Sequence, residues 1–201
     1  MDPFTTCDAV ALPFNMPNVD TDQIIPARFL WRKRKDAWAH LLLHDLRFDD
    51  EGQPRRAFIL NQPEFLGAKI IVAGRNFGCG SSREHAVWCL LDYGIRAVIA
   101  PSFGDIFFAN AFQNGLLPIV LPAADVRQII EGLEASPGGR LKIDLEQQTV
   151  THPDGRSHAF SIDPFRKECL LTGADDIGFT MRLDGTIQSF ESDLEKRMPW
   201  A

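Results

Sequence analysis

Between residues 74 and 86 the chain runs Gly74-Arg75-Asn76-Phe77-Gly78-Cys79-Gly80-Ser81-Ser82-Arg83-Glu84-His85-Ala86. Glycines and serines lead into a segment that reads as a helix start, and Arg, Glu and His crowd its first turn. This pattern suits an anion. A glycine-rich turn exposes backbone amides, and a helix start presents its positive end to the same ligand. Arg83 can hold a carboxylate through two parallel N–H donors. Ser81 and Ser82 can cap the helix or bond the ligand, and His85 can act as a base, orient a neighbour or fill the core. A plainer role is also open, a capped turn with Arg83 and Glu84 forming a structural pair. The run is not a Walker A loop, since Gly-Lys-Ser/Thr is missing, and its glycine order is not that of a dinucleotide fingerprint. Nor does Ser81, flanked by Gly80 and Ser82, sit in a Gly-x-Ser-x-Gly elbow.

Upstream lies Pro17-Asn18-Val19-Asp20-Thr21-Asp22-Gln23-Ile24-Ile25-Pro26. Its prolines and acidic residues predict a loop rather than a regular element. Asp20 and Asp22 could bind a cation, but no third or fourth ligand stands close by in sequence. The cysteines are Cys7, Cys79, Cys89 and Cys169, and none forms a CxxC pair, so spacing supports neither zinc nor a cluster held by this chain alone. Cys89 is expected to be an inert thiol on a buried helix face. Cys79, inside the glycine run, is either a packed thiol lining the site or a nucleophile.

The elements around these runs alternate. Apolar character predicts a first strand over residues 9–14, and Trp38, Leu41, Leu42 and Leu46 supply the stripe of a helix over 36–46. Residues 49–54 are a turn. From residue 69 the pattern becomes α/β, with strands at 69–73, 97–100 and 117–121 and helices at 82–93, 106–113 and 124–134. Pro118 marks the third of these strands as an edge or irregular one. Leu141, Ile143 and Leu145 then alternate with polar residues, and Pro153-Asp154-Gly155 is a turn. This predicts a β-hairpin over 140–162, forming a rim or a second layer. Asp163-Pro164 opens a helix that Gly173 closes, and Asp175 caps another that contains Ile177 and Met181. The last residues read as a peripheral tail.

At 201 residues the chain can bury one substantial core, and 45% hydrophobic with 24% charged residues is the balance of a soluble globule. A net charge of -6 gives no support for a nucleic-acid surface. The run Arg32-Lys33-Arg34-Lys35 reads as a solvated or anion-facing loop and helix start. Met1-Asp2-Pro3-Phe4 lacks a basic region followed by an apolar stretch, so no secretory signal is expected, and disulfides are not expected with it. No apolar run approaches the ~18 residues of a membrane span. A cytoplasmic location without membrane or nucleic-acid partners is the expectation.

The two motifs together carry a resemblance. Gly78-Cys79-Gly80-Ser81-Ser82-Arg83-Glu84-His85-Ala86 resembles one signature of the swivelling domain of the aconitase superfamily, and Asn18-Val19-Asp20-Thr21-Asp22-Gln23-Ile24-Ile25-Pro26 resembles the other. Their order and separation fit, and the likeness runs over residues 4–190. Within the superfamily the chain is similar to the isopropylmalate isomerases of leucine biosynthesis, in which the swivelling domain is a separate small subunit. The resemblance implies a single swivelling domain over 1–201, with 174–201 a peripheral C-terminal extension. It implies an α/β fold of the layered β/β/α type, a mostly parallel core sheet plus a β-hairpin.

It also implies a hydro-lyase that works only as two chains. The large subunit would carry a [4Fe-4S] cluster on its own cysteines, and this chain would bind no cofactor or metal alone. One iron would act as a Lewis acid on a small dicarboxylate, and 2- and 3-isopropylmalate would interconvert through a dehydrated intermediate. Carried over by the motif, Ser81 matches the catalytic serine, Arg83 the carboxylate-binding arginine and Ser82 a supporting position in the substrate pocket. Asp20, Thr21 and Asp22 border the site, with Asp20 and Asp22 candidates to position Arg83 or His85. Gly78, Cys79, Gly80, Glu84 and His85 support it. Phe29, Leu30 and Trp31 fall where the family distinguishes an isopropyl group from a polar or acidic one, or else pack against the helix at 36–46. Trp31-Arg32 departs from the most familiar form of that loop. A related hydratase of citraconate, methylmalate or homoaconitate, and an anion-binding module without chemistry, are the rival readings.

Overall fold

The computed structural model describes residues 1–33, 38–198 and 200. Its strands are β1 (Thr6–Phe14), β2 (Ile70–Ala73), β3 (Ala97–Ala100), β4 (Leu117–Val120), β5 (Arg140–Asp144), β6 (Thr149–Thr151) and β7 (Ser157–Ala159). They form one sheet in the order β4-β3-β2-β1-β5-β6-β7. The aliphatic runs Ile-Ile-Val-Ala of β2 and Ala-Val-Ile-Ala of β3 are buried throughout, as strands covered on both faces must be. β1 joins two halves of the sheet. Its residues Ala11–Phe14 pair parallel with β2, and Thr6–Val10 pair antiparallel with β5. β4 is the outer strand beyond β3, which accommodates Pro118.

The helices are α1 (Thr21–Ile24), α2 (His44–Arg47), α3 (Glu84–Tyr93), α4 (Asp105–Asn114), α5 (Ala123–Ala135), α6 (Pro164–Thr172), α7 (Asp176–Arg182) and α8 (Asp184–Arg197). α5 covers one face of the sheet, laying Val126, Ile129, Ile130 and Leu133 against residues such as Ala11, Ile70 and Ile99. α3 and the segment 38–43 cover the other, over Leu12, Ile71 and Val98. The alternation of inward-facing aliphatics along β1 is what gives each cover its own face. β1, β2 and β3 run in one direction, so the loops that leave them gather at one end of the sheet.

Several expectations change. In place of the helix expected over 36–46, the described part, 38–46, is not one helix. Residues 34–37 lie outside the described residues, and from Trp38 the chain makes a 3-10 turn, Trp38–Leu41, then the separate α2. Leu43 between them has φ 52, and its N–H donates to the Ile24 carbonyl at 2.9 Å. Leu41, Leu42 and Leu43 are all buried, which three consecutive residues of a helix cannot achieve on one face. The loop 17–26 contains α1, whose cap is reciprocal. The Asp20 carboxylate accepts from Gln23 N at 2.7 Å, and Gln23 Oε1 accepts from Asp20 N at 2.9 Å. The predicted hairpin gains a third strand, β7, and forms the rim of the sheet.

Asp163 and Asp175 cap α6 and α7 as their positions predicted. α8 buries none of its residues, Ile187 and Phe190 stand exposed along it, and Leu183 is exposed just before it. No helix among the described residues is long and apolar enough to cross a membrane.

Candidate active site

Three loops meet where β1, β2 and β3 end. The loop after β2 lies between the other two. On one side Phe77 N donates to the Ser102 carbonyl at 3.1 Å, and Gly104 N donates back to the Phe77 carbonyl at 2.9 Å. Asn76 N adds a bond to Ser102 Oγ at 2.9 Å. On the other side Asn18 N donates to the Arg75 carbonyl at 2.8 Å and Gly78 N to the Val19 carbonyl at 2.7 Å. Thr21 reaches further along the same run. Its N–H donates to the Cys79 carbonyl and its hydroxyl to the Ser81 carbonyl, each at 2.9 Å. The loop 17–25 and the run 74–83 are therefore zipped together, and the third loop, 101–104, was not among the sequence-predicted parts. A glycine between β3 and α4, Gly104, was the available signal. A Cβ there would come within 2.5 Å of the Gly78 carbonyl oxygen.

Ser81 and Ser82 are exposed at the tip of this arrangement. α3 begins at Glu84 rather than at Ser82, and neither serine caps it. Its N-cap is Arg83, whose side chain makes no capping bond. A helix start leaves its first amides without intrahelical partners, so this end of α3 offers donors and the positive end of its dipole beside two hydroxyls.

Arg83 forms an ion pair with Asp22 and donates from the same nitrogen to the Ile25 carbonyl at 3.4 Å. The structural pairing of Arg83 with Glu84 does not occur. Instead Glu84 Oε1 accepts from Asn114 Nδ2, and Asn114 Oδ1 accepts from Trp88 Nε1, both at 2.8 Å, which fastens α3 to the end of α4. Asp22 also accepts from Ala27 N at 2.8 Å. The Arg83 guanidinium, followed by this amide, holds the Asp22 carboxyl below the usual carboxylate range. Asp20 is occupied in capping α1, so of the two aspartates only Asp22 reaches Arg83.

His85 packs on aromatic rings. Its ring stacks on Trp38 with centroids 5.3 Å apart and planes 13° apart, and lies 4.9 Å from Trp88. That is aromatic packing beneath the loops. Cys79 is a half-buried free thiol in the zipped run. Cys89 lies in the core with Sγ donating to the Trp38 carbonyl at 3.4 Å, and burial pushes its thiol up to about 12. Native protein at pH 8 should therefore leave Cys89 unmodified by iodoacetamide while unfolded protein loses it readily. Mass mapping that finds native Cys89 alkylated as fast as in denaturant would contradict this placement. Among the described residues no group of three or more His, Cys, Asp or Glu could hold a metal ion.

The run 29–31 divides. Phe29 and Leu30 are half-buried against the core, and Phe29 lies 4.9 Å from the His44 ring with the Arg28 guanidinium 4.6 Å over its face. Trp31 is 80% exposed. A 3-10 turn, Ala27–Phe29, ties the run to the site through the Ala27 to Asp22 bond. In the basic run, Arg34 and Lys35 lie outside the described residues, and Arg32 Nη1 sits 3.2 Å from His40 Nε2.

Comparison with known proteins adds independent findings. A family model described as the aconitase C-terminal domain matches residues 1–124, and a second, LeuD_N, matches residues 127–164. A 3-isopropylmalate dehydratase small subunit from Rhodospirillum centenum is 50% identical over 201 residues, spanning all of this chain and 99% of that protein. One from Roseobacter denitrificans is 49% identical over 200 residues and the whole length of both. A solved 3-isopropylmalate dehydratase structure from Methanocaldococcus jannaschii superposes with a TM-score of 0.64 at 28% identity, covering 92% of this chain and 99% of that one.

Proposed function

Since the chain belongs to the aconitase C-terminal domain family, among the 3-isopropylmalate dehydratase small subunits, we propose that its three-loop cluster is one half of an active site completed by a second chain. The chain is the small subunit of a hydro-lyase that isomerises 2- and 3-isopropylmalate through isopropylmaleate in leucine biosynthesis, and it acts only with a large subunit. The observation that carries the site assignment is the placement of Ser81, Ser82 and Arg83 at the uncapped start of α3, where parallel strands end. The proposal includes a dicarboxylate substrate, a cytoplasmic location and a single domain with 174–201 as its peripheral extension.

Ser81 is assigned the proton. In one direction its Oγ takes the proton from the carbon next to a substrate carboxylate, and in the other it returns it. A hydroxyl is a weak base, so the alkoxide needs help from fixed charges. The start of α3 and the Arg83 guanidinium supply a positive field at that position. As the proton leaves, negative charge grows on the neighbouring carboxylate. Arg83 uses one Nη for Asp22 and retains its other N–H donors for that carboxylate. These contacts accelerate the reaction only by strengthening as the charge develops. Ser82 adds a hydroxyl to the pocket, and Phe29 and Leu30 supply the apolar side that suits a branched alkyl group.

The [4Fe-4S] cluster of the proposed enzyme is assigned to the large subunit, on that chain's own cysteines. When bound there, the cluster supplies a Lewis acid for the departing hydroxyl. Mixing this chain with its large subunit under anaerobic conditions tests the whole reading. Isopropylmaleate absorbance should rise with either isopropylmalate, and an assembled pair that converts neither would overturn it.

Arg83→Lys should lower kcat/KM by about 10²-fold, because an ammonium cannot serve Asp22 and a carboxylate in one plane. Equal activity of the two proteins would remove Arg83 from the site. Asp22→Asn should lower activity by a similar factor at every pH between 6 and 8 rather than move the profile. The sign follows from the depressed Asp22 carboxyl, which stays ionised above the usual carboxylate range and loses its pairing only as pH falls below it. An acid limb between pH 6 and 8 that moves or disappears in Asp22→Asn would show that the Asp22 carboxyl titrates there, against its depression by Arg83.

A further inference from the structure

We infer that Thr21 is a positioning residue for Ser81, its amide and hydroxyl together fixing the backbone on both sides of Gly80. The inference rests on Ser81 as the proton-moving group. Ser81 is exposed, and among the described contacts its hydroxyl has no partner within the chain. The location of Oγ is therefore inherited from the backbone that carries it, and Thr21 holds that backbone. The Thr21 N–H bonds the Cys79 carbonyl and Thr21 Oγ1 bonds the Ser81 carbonyl, both at 2.9 Å. The residue bracketed by these bonds, Gly80, has φ +89, and a Cβ there would lie 3.3 Å from Asp20 Cβ and 3.8 Å from Thr21 Oγ1. The turn thus lies directly on Thr21, in a backbone conformation that leaves it few constraints of its own.

Thr21 is itself held in place by burial and by bonds. It is 2% exposed although Asp22 beside it is exposed, and it is the first residue of α1. The capping box of Asp20 and Gln23 fixes the start of that helix, and Ile25 N donates to the Thr21 carbonyl at 3.0 Å. Its branched Cβ leaves χ1 little freedom, so the hydroxyl stays aimed at Ser81. A buried hydroxyl needs a partner, and here the partner is the peptide that bears the reacting group. Proton transfer is sensitive to displacement of its base well below an ångström scale of disorder, whereas substrate binding by Arg83 and the large subunit does not pass through this bond.

Thr21→Val keeps the shape, the burial and the amide bond to Cys79, and removes only the hydroxyl bond. Measured in the two-chain enzyme, kcat should fall by about tenfold or more while KM stays within about twofold, and Thr21→Ser should recover most of the loss. Ser81→Ala is measured alongside, to separate the two claims. If Ser81→Ala turns over normally, the assignment of Ser81 fails and this inference fails with it. If Ser81→Ala is inactive but Thr21→Val matches wild type, raises KM instead, or is not rescued by Thr21→Ser, the positioning role alone is overturned. Thr21→Val that no longer pairs with the large subunit would also overturn it, since the bond would then serve the fold rather than the serine.

Discussion

Ser81→Ala in the assembled two-chain enzyme should pair normally and turn over about 10³-fold more slowly than wild type. The expectation of normal pairing comes from what the side chain does not do. Ser81 is exposed, and the bond that fastens this stretch is accepted by its carbonyl, which alanine keeps. The start of α3 is equally indifferent, because neither serine caps it. Loss of turnover would then be loss of the proton carrier, with Arg83 and its Asp22 partner still in place. Gel filtration of the pair, its thermal midpoint and the rate of isopropylmaleate formation give the three readings needed. A variant that pairs and keeps turnover within about threefold would exclude Ser81 as the base, since general acid-base groups contribute at least about 10².

Gly78→Ala should destabilise the loops by about 2–5 kcal/mol. Two effects add. Gly78 has φ +72, and a Cβ placed on it would lie 2.2 Å from Phe107 Cγ and 2.7 Å from Phe107 Cβ. Phe107 cannot yield, being 2% exposed and packed against Phe77 and Phe103. A thermal midpoint lowered by about 5–15 °C is the corresponding observation. Gly155→Ala is the control, because Gly155 has φ +86 with nothing within 4 Å of the added carbon. It should cost about 1–2 kcal/mol, the conformational part alone. Equal losses at the two positions would mean that Phe107 moves aside. Activity should fall with stability at Gly78 only, because its amide bonds the Val19 carbonyl and so joins the two signature loops.

Much of this site was legible from local sequence. The buried runs at 70–73 and 97–100 needed only consecutive aliphatics, Pro118 pointed to an edge, and Asp163 and Asp175 announced the helices they cap. The glycine-rich run marked the segment that holds Ser81 and Arg83, and the resemblance rather than local sequence gave those two residues their proposed roles. The parts that were not legible depend on chain segments far apart. Only the resemblance put Asp22 among the candidates to position Arg83; local sequence offered the adjacent Glu84 equally, and the path of the loop after β1, 61 positions away, decides for Asp22. His85 has the chemistry of a base, yet its position under Trp38 and Trp88 gives it packing instead. Residues 38–43 have a helical composition, but burying Leu41, Leu42 and Leu43 together and bonding Leu43 to Ile24 takes the chain off the helical path. In each case tertiary contact outweighed local preference.

The bonds that knit the three loops all run within this one chain, from Ser102 and Gly104 through Phe77 and Gly78 to Val19 and Thr21. The consequence concerns assembly. A half-site whose backbone is already stitched has little ordering left to do when its partner arrives, so the entropy lost on pairing falls on the contact surfaces and not on the catalytic turn. If the proposed two-chain site holds, Ser81 and Arg83 enter that pairing with the backbone between them already fixed by this chain's own bonds.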